Sequence, residues 1–391
     1  LSEADAAAEL AAALREAAAA GSSDARRVAA FRAGGMAKGA GAGAARAAEV
    51  RGALAGMFAS KKAPGAREAA ACAFEALVRG LGWAFEVDAL ELFPALVSAQ
   101  GDTDKDARKA ALKAGKVFFS KASAPCAKLA FPMLLEGLVA KQWRTKEGCL
   151  KLMKDIAKAA PSQLEQSLPA VMPTMMEAVA DTHDKVHAAA VAAMPGVCGV
   201  VQNAETQTLM EVFVNALTVP DKATDVCLDR LMEVTFVNSI DSPSLALMVP
   251  VMLRGLRDRN QVVMKQSCQA ATNILNLCLD SAAVAPFAPP LVYELQKAAE
   301  SDSPDVREVS VKALDALQVG LGDIKASEVE AKAAEAQRSI AAHAAEAVQS
   351  WGLEPALAAH VARLAASFEG TARLSPVSTA LQAALKPIAK S

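Results

Sequence analysis

Apolar and polar positions follow a layout that recurs about every forty residues along the chain. In its clearest copies an apolar residue precedes a proline, at Pro94, Pro132, Pro173 and Pro250, and a short apolar stretch follows. A polar turn comes next, and a basic or imidazole residue then opens a second apolar stretch. Each copy therefore predicts two helices joined by a turn, with the proline inside the first helix.

The residue that opens the second helix marks the period of this layout. Steps of 41, 38, 41, 40, 38 and 42 residues separate the markers Arg67, Arg108, Lys146, His187, Cys227, Lys265 and Arg307. Arg26 lies another 41 residues upstream and predicts one more unit at the N-terminus. This period is typical of HEAT and armadillo repeats. We therefore expect an all-α fold, a HEAT-repeat α-solenoid of about seven to eight helix pairs over residues 1–325.

Two finer expectations follow from the repeat. Asp102, Asp181 and Asp302 stand where a short polar side chain would cap the second helix of a pair. The glycine-rich segment 34–46 lacks the spacing of a phosphate-binding loop and predicts a flexible link or a weakened helix in a degenerate repeat.

Residues 326–391 leave the repeat pattern, and their Gly and Ser-Pro turns predict a small helical bundle or cap.

Composition supports an all-helical chain and narrows its class. Apolar residues make up 53% of the 391 residues, largely as alanine, and aromatic residues make up only 4%. Seven dispersed cysteines without a C-x-x-C motif predict reduced, mostly buried thiols in a cytosolic type of compartment. No apolar run reaches membrane-spanning length. The chain begins with Leu1, which suggests a fragment of a longer protein.

Local motifs for chemistry are sparse. His183 and His187 have the spacing of a metal-binding pair on one helix face, but four ligands close a structural zinc site and only this pair is visible. The chain has no G-x-x-x-x-G-K-[ST] phosphate loop and no G-x-S-x-G motif. We therefore expect no catalytic residues, no cofactor, no metal and no small-molecule substrate.

Charge is distributed unevenly although the chain as a whole carries only −2. Residues 102–158 contain thirteen lysines and arginines against six acids, and this segment carries a net charge of +7. Such segregation predicts a local positive surface for a polyanion. Two alternatives stay open: lysines that simply solvate exposed helix faces, and arginines at the repeat markers that pair with aspartates along the stack. Trp143, beside Arg144, would stack on a nucleobase or pack between repeats.

Two stretches resemble a known family. "KQWRTKEGCLKLMKDIAKAAPSQLEQSLPAVMPTMMEAVADTHDKV" (141–186) and "TFVNSIDSPSLALMVPVMLRGLRDR" (235–259) are similar to the HEAT region of fungal translation elongation factor 3. They are also similar to the HEAT repeats of the ribosome-associated activator of the amino-acid-starvation kinase. The resemblance implies a HEAT-repeat scaffold that takes part in translation in the cytoplasm and binds the ribosome. The resemblance does not imply ATPase activity for this chain, because the chain has no phosphate loop. If the chain is a fragment, the resemblance implies that the longer parent protein is an ABC-type ATPase.

The expected partner is therefore the ribosome, through rRNA and ribosomal proteins, together with other translation proteins and without a membrane. The alternative is a general protein-interaction solenoid, an adaptor or a kinase-activating scaffold. The candidate ribosome- and RNA-binding residues are Arg108, Lys109, Lys141, Arg144, Lys146, Arg254, Arg257, Arg259 and Lys265.

Overall fold

Helices form the regular structure of the described residues, 3–60 and 63–322, in the computed structural model of the chain, and these residues contain no strand. The chain divides between Val200 and Val201 into two units, which we call unit 1 and unit 2. The predicted bundle at 326–391 lies outside the described residues.

The described part of unit 1 consists of five helix pairs. Its helices are α1 (Glu3–Ala19), α2 (Ser23–Ala47), α3 (Val50–Phe58), α4 (Pro64–Leu81), α5 (Glu86–Ala99), α6 (Lys105–Lys121), α7 (Ala124–Leu138), α8 (Trp143–Ala159), α9 (Pro161–Val179) and α10 (Asp184–Cys198). The first helices, α1, α3, α5, α7 and α9, each contact the next and form one layer. The second helices, α2, α4, α6, α8 and α10, also contact one another in order and form the other layer. This two-layer stack is the α-solenoid that the period predicts.

The described part of unit 2 repeats this arrangement with three pairs. Its helices are α11 (Ala204–Thr208), α12 (Met210–Thr218), α13 (Pro220–Glu233), α14 (Ser242–Leu256), α15 (Gln261–Asn276), α16 (Ser281–Val284), α17 (Ala288–Ala299) and α18 (Pro304–Leu321). Helices α12, α14 and α17 form the first-helix layer, and α13, α15 and α18 form the second.

Prolines occur at two kinds of position in these helices. One kind begins a helix, where the missing N–H costs nothing, as in α4, α9, α13 and α18. The other kind lies inside a helix, in most cases a first helix, although Pro195 lies inside the second helix α10. Pro94, Pro132, Pro173 and Pro250 lie within α5, α7, α9 and α14, as the repeat pattern predicts.

The repeat markers hold a constant place at the start of the second helices. Arg26, Arg67, Arg108, Lys146, His187 and Arg307 are each the fourth residue of their helix, and Lys265 is the fifth residue of α15. Cys227 is the exception, because α13 begins at Pro220 and places it a full turn further on. The interpretation of Cys227 as a helix-opening marker is therefore wrong. Its side chain is buried and contributes to packing instead.

The aspartates predicted as caps lie one or two residues before the residues that precede the helices. Asp104, not Asp102, caps α6 by accepting the N–H groups of Asp106 and Ala107, each at 2.9 Å. His183, not Asp181, caps α10 through its ring nitrogen. Ser303 precedes α18 in place of Asp302. The capping prediction is wrong because Asp102 and Asp181 instead bind the backbone N–H two residues on, within the turn.

Small residues allow close packing at the N-terminal end of unit 1. A methyl group added at Gly34 of α2 would lie 2.6 Å from the Ala76 side chain of α4, so only glycine fits there. Gly41 has a positive φ of 84° and interrupts the regular helix within α2. The glycine-rich segment is therefore a weakened helix that packs closely, as one of the sequence interpretations holds.

The cysteines are buried, as expected, and all seven are free thiols. Burial raises the pKa of Cys149, Cys198 and Cys268 to about 12, so these thiols stay protonated and unreactive near neutral pH. Among residues 3–60 and 63–322, no helix has both the length and the apolar character needed to cross a membrane.

Candidate polyanion-binding surface

The basic segment 102–158 spans α6, α7 and α8, and eleven of its thirteen cations lie on α6 and α8 of the second-helix layer of unit 1. Five of its thirteen cations make ion pairs: Lys109, Lys113, Lys116, Lys146 and Lys151. Six others are exposed and make no ion pair with the described residues: Lys105, Lys121, Lys141, Arg144, Lys154 and Lys158. The layer therefore presents positive charge that the fold itself does not neutralise.

Helix α8 carries an exposed stripe of these cations. Arg144, Lys151, Lys154 and Lys158 are spaced seven, three and four residues apart and point to one face of the helix. At a rise of 1.5 Å per residue the stripe is about 21 Å long. Lys151 is paired with Glu147 at 2.6 Å, which leaves the other three cations available to a partner.

Trp143 begins α8 and stacks against His183, the residue that precedes α10. Their ring centroids lie 4.4 Å apart with an interplanar angle of 17°. The guanidinium carbon of Arg144 lies 4.7 Å from the Trp143 ring centroid, and the Lys185 ammonium lies 5.0 Å from it. We call Trp143, Arg144, His183 and Lys185 the Trp143 cluster. Trp143 thus packs between neighbouring repeats, and two cations lie over its ring.

Sequence reasoning named Trp143 and Arg144 but missed the contribution of His183 and Lys185. The repeat period would have identified them, because His183 follows Trp143 by 40 residues and Lys185 follows Arg144 by 41. Residues one period apart occupy equivalent places in adjacent helix pairs and therefore lie side by side in the stack.

Several repeat-marker cations, including the candidate residues Lys146 and Lys265, hold neighbouring repeats together. Arg67 of α4 forms two hydrogen bonds with Asp102, which precedes α6. Lys146 of α8 pairs with Asp181, which precedes α10, at 2.7 Å. Lys265 of α15 pairs in the same way with Asp305 of α18 at 2.6 Å. Pairing of marker residues with acids along the stack, one of the open alternatives, is therefore present.

These ion pairs shift the titration of their carboxylates. Burial pushes the pKa of Asp102 up, but hydrogen bonds from Arg67 and from the Asp104 N–H outweigh it and leave the pKa below its ordinary value. The pKa of Asp181 is lowered chiefly by the hydrogen bond from Lys146 and then by the His183 N–H. Both aspartates therefore stay ionised to a lower pH than a free aspartate does.

Other markers bind the turn of their own repeat. Arg108 donates to the carbonyl oxygens of Asp102 and Thr103 at 2.6 and 2.9 Å. Arg307 makes the same pair of contacts with Ser301 and Asp302. Arg108 was a candidate RNA-binding residue, and in the structure its guanidinium closes the turn that leads into α6.

The basic cluster of unit 2 lies at the end of α14. Arg254 donates to the Ala216 carbonyl at 2.7 Å, and Arg257 pairs with the buried carboxylate of Glu294 at 2.6 Å. Arg259 is exposed in the turn that follows. Of these three candidates, only Arg259 makes neither a hydrogen bond nor an ion pair through its side chain with the described residues.

The two histidines considered as a metal pair make other contacts. The His183 Nδ1 atom accepts the Lys185 N–H at 3.3 Å, and His187 Nδ1 lies 2.6 Å from the Val179 carbonyl oxygen. Within the described ranges, no group of three or more histidine, cysteine, aspartate or glutamate side chains has metal-binding geometry.

Comparison with known families identifies the repeats. The family model described as EF3 N-terminal HEAT repeat matches residues 26–194. The model described as Elongation factor 3/GNC1 HEAT repeat matches residues 222–328. Both models describe helical repeats, so the matched region is a repeat solenoid and not a catalytic domain.

Three relatives share between 31% and 38% of aligned residues with the chain. Protein ILITYHIA of Arabidopsis thaliana is 38% identical over 263 residues, which cover 66% of this chain and 10% of that protein. The human protein named stalled ribosome sensor GCN1 is 37% identical over 257 residues, again 66% of this chain and 10% of the relative. Elongation factor 3 of Phytophthora infestans is 31% identical over 245 residues, covering 62% of this chain and 24% of the relative. The chain thus spans a small part of these longer relatives.

Proposed function

Because the chain belongs to the HEAT-repeat family of elongation factor 3 and GNC1, we propose that it is a non-enzymatic scaffold that binds the ribosome. Contact would be made with rRNA and with ribosomal proteins in the cytoplasm. The names of its relatives support this proposal, since one is named stalled ribosome sensor and another elongation factor 3.

The observation that carries the proposal is the exposed positive charge of unit 1. Residues 1–200 carry 25 lysines and arginines against 21 acids, a net charge of +4, whereas residues 201–391 carry −6. Within unit 1 the excess is concentrated on the second-helix layer, where Lys105, Lys154 and Lys158 are exposed without ion pairs to the described residues. A surface of free cations on a chain of net negative charge suits docking onto RNA phosphates.

Contacts of this kind are strongly sensitive to salt. Each phosphate that a lysine or arginine neutralises releases a counterion, so the logarithm of the binding constant falls with the logarithm of salt concentration. The proposal therefore predicts co-sedimentation with purified ribosomes at low salt and progressive release as salt rises. We call the slope of the logarithm of the binding constant against the logarithm of salt concentration the salt slope. The triple variant K141E/K154E/K158E should weaken binding and reduce the magnitude of the salt slope by about two to three.

The matched control reverses three exposed cations of unit 2. R230E/K297E/K312E changes the net charge by the same amount and should bind like the unsubstituted chain. Equal loss in both variants would mean that overall charge, and not the unit 1 surface, drives binding. A chain that does not sediment with ribosomes even at low salt would overturn the proposed function.

The second candidate is a protein-binding scaffold. It is favoured by relatives named eIF-2-alpha kinase activator GCN1, one of which, from Saccharomyces cerevisiae, is 31% identical over 263 residues. This alternative predicts binding to a protein that survives nuclease treatment and that the triple substitution in unit 1 leaves unchanged. Nuclease digestion before sedimentation therefore separates the two candidates.

A further inference from the structure

We propose that the Trp143 cluster is a contact site for unpaired RNA nucleotides, in which cations bind phosphate and the aromatic pair stacks on a base. This inference rests on the proposed ribosome binding and assigns a particular kind of RNA contact to a particular place. It draws on His183 and Lys185, which come into the site only through the packing of α8 against α10.

The aromatic pair is held in place by the fold. Trp143 is the first residue of α8, and the His183 ring is fixed on its other side because its Nδ1 atom caps α10. The stacked rings are half-buried, so they retain an accessible edge while the helices restrict their movement. A rigid pair of this kind loses little conformational freedom when it binds a ligand.

Two cations lie against this pair and remain exposed. The Arg144 and Lys185 side chains are over the Trp143 ring at 4.7 and 5.0 Å, and neither makes an ion pair with the described residues. A cation over a ring occupies the space that a stacking base would take. On binding, the Arg144 and Lys185 side chains would therefore move from the Trp143 ring to phosphate oxygens of the RNA. A base would then stack on the ring in their place.

The combination favours RNA over an acidic protein. Tryptophan, histidine and arginine all stack on bases, and unpaired nucleotides are what proteins recognise in this way. An acidic peptide would use the cations but would leave the aromatic pair without a partner. The stripe on α8 also continues from Arg144 to Lys158 for about 21 Å, so a nucleic-acid backbone that starts at the cluster meets further cations.

Fluorescence of Trp143 provides a direct test. The chain has three tryptophans, so the full chain carrying W83F and W351F retains Trp143 as its single indole. Titration with an oligouridylate of about eight nucleotides should quench its emission in a saturable manner. A duplex RNA of equal length should bind more weakly and quench less, because its bases are already stacked.

Two variants separate the aromatic and the cationic parts. In the natural background, measured by fluorescence anisotropy of labelled oligouridylate, Trp143→Ala should weaken binding about tenfold or more, within the range for loss of one base stack. Trp143→Phe should recover most of that loss. The double variant R144Q/K185Q keeps the aromatic pair and should weaken binding while reducing its salt dependence.

Trp83 is the matched control. It lies in the same unit and is 63% exposed, and no aromatic ring or cation of the described residues lies against it. Trp83→Ala should therefore leave oligouridylate binding unchanged. Circular dichroism checks that each variant keeps its helical content, so that a loss of binding reports on the site.

Several outcomes would overturn the inference. These are an unquenched Trp143, equal binding by Trp143→Ala and the unsubstituted chain, and equal quenching by poly-glutamate, which would indicate a contact for acidic proteins. Ribosome sedimentation is measured in parallel with the same proteins. If the chain sediments with ribosomes while Trp143 is unaffected by RNA, the inference fails and the proposed function stands. If the unsubstituted chain does not sediment, the proposed function itself fails.

Discussion

Unit 1 and unit 2 share the same helix-pair architecture and both join repeats through cations, but among the described residues unit 1 leaves more cations exposed without an ion pair. In unit 2, Arg254, Arg257 and Lys265 are all bound to groups of neighbouring helices. In unit 1, Lys154 and Lys158 point away from the stack without ion pairs to the described residues. Basic residues in a helical repeat therefore serve two separate purposes, joining repeats and facing a partner, and composition does not distinguish them.

The cores of the two units differ as well. Six phenylalanines form a connected cluster in unit 1, in which Phe118 contacts the rings of Phe74, Phe93 and Phe119. The buried Phe213 of unit 2 has no such ring contact among the described residues. The part of the molecule with the exposed positive surface thus has the more extensively interlocked core. A rigid support of this kind suits a surface that must hold its charges in place.

The largest expected effect comes from the aromatic core. Phe118→Ala should lower the free energy of unfolding by about 3–5 kcal/mol, because it leaves a cavity and removes ring contacts. Phe213→Ala should cost about 1 kcal/mol less, since it loses burial without ring pairs. Urea unfolding followed by circular dichroism measures both values. Equal losses would show that the ring contacts add nothing beyond burial.

The next effect concerns the ion pairs between repeats. Asp102→Asn should destabilise unit 1 by about 2–3 kcal/mol, because the Asp102 side chain is only 4% exposed and Arg67 would lose its charged partner. Asp305→Asn should not measurably change the melting temperature, since the side chain of Asp305 is 66% exposed. Thermal melts of the two variants compare a buried pair with a surface pair, and similar losses would contradict this distinction.

A smaller effect is expected on acidification. The pKa of Asp102 and that of Asp181 are lowered in the folded state, so their stabilising contribution is complete above about pH 4, the ordinary range of aspartate. It is lost as the pH falls through the lowered values, because the unfolded chain then binds protons more readily. The melting temperature should therefore decline below about pH 4, and more shallowly in Asp102→Asn. An unchanged slope in that variant would exclude Asp102 as a source of the decline.

The smallest effect is a difference between single surface cations. Lys154→Ala should reduce the salt slope of ribosome binding by about one, the value for a single lost phosphate contact, and should leave stability unchanged. Arg259→Ala in unit 2 should change the slope less, if the free cations of unit 1 make most of the phosphate contacts. A larger effect at Arg259 would reverse the comparison between the units.

Sequence periodicity predicted most of the fold correctly because helix pairs are local structures. The equivalent places of Arg67, Arg108 and Lys146 in successive helix pairs follow from a spacing that can be measured in the sequence. The two misjudged features, Cys227 and the aspartate caps, depend on where a helix begins. That point is set by competing hydrogen bonds within a few residues, which the repeat period does not resolve.

The sequence by itself thus determined the helix pairs, the family and the segment that carries positive charge. Only the tertiary structure decided which of those cations are free, because Lys146 and Arg257 pair with acids of neighbouring repeats 35 and 37 residues away. It also brought His183 and Lys185 onto Trp143. Both outcomes depend on side chains of different repeats meeting across the stack, at distances that local sequence patterns do not specify.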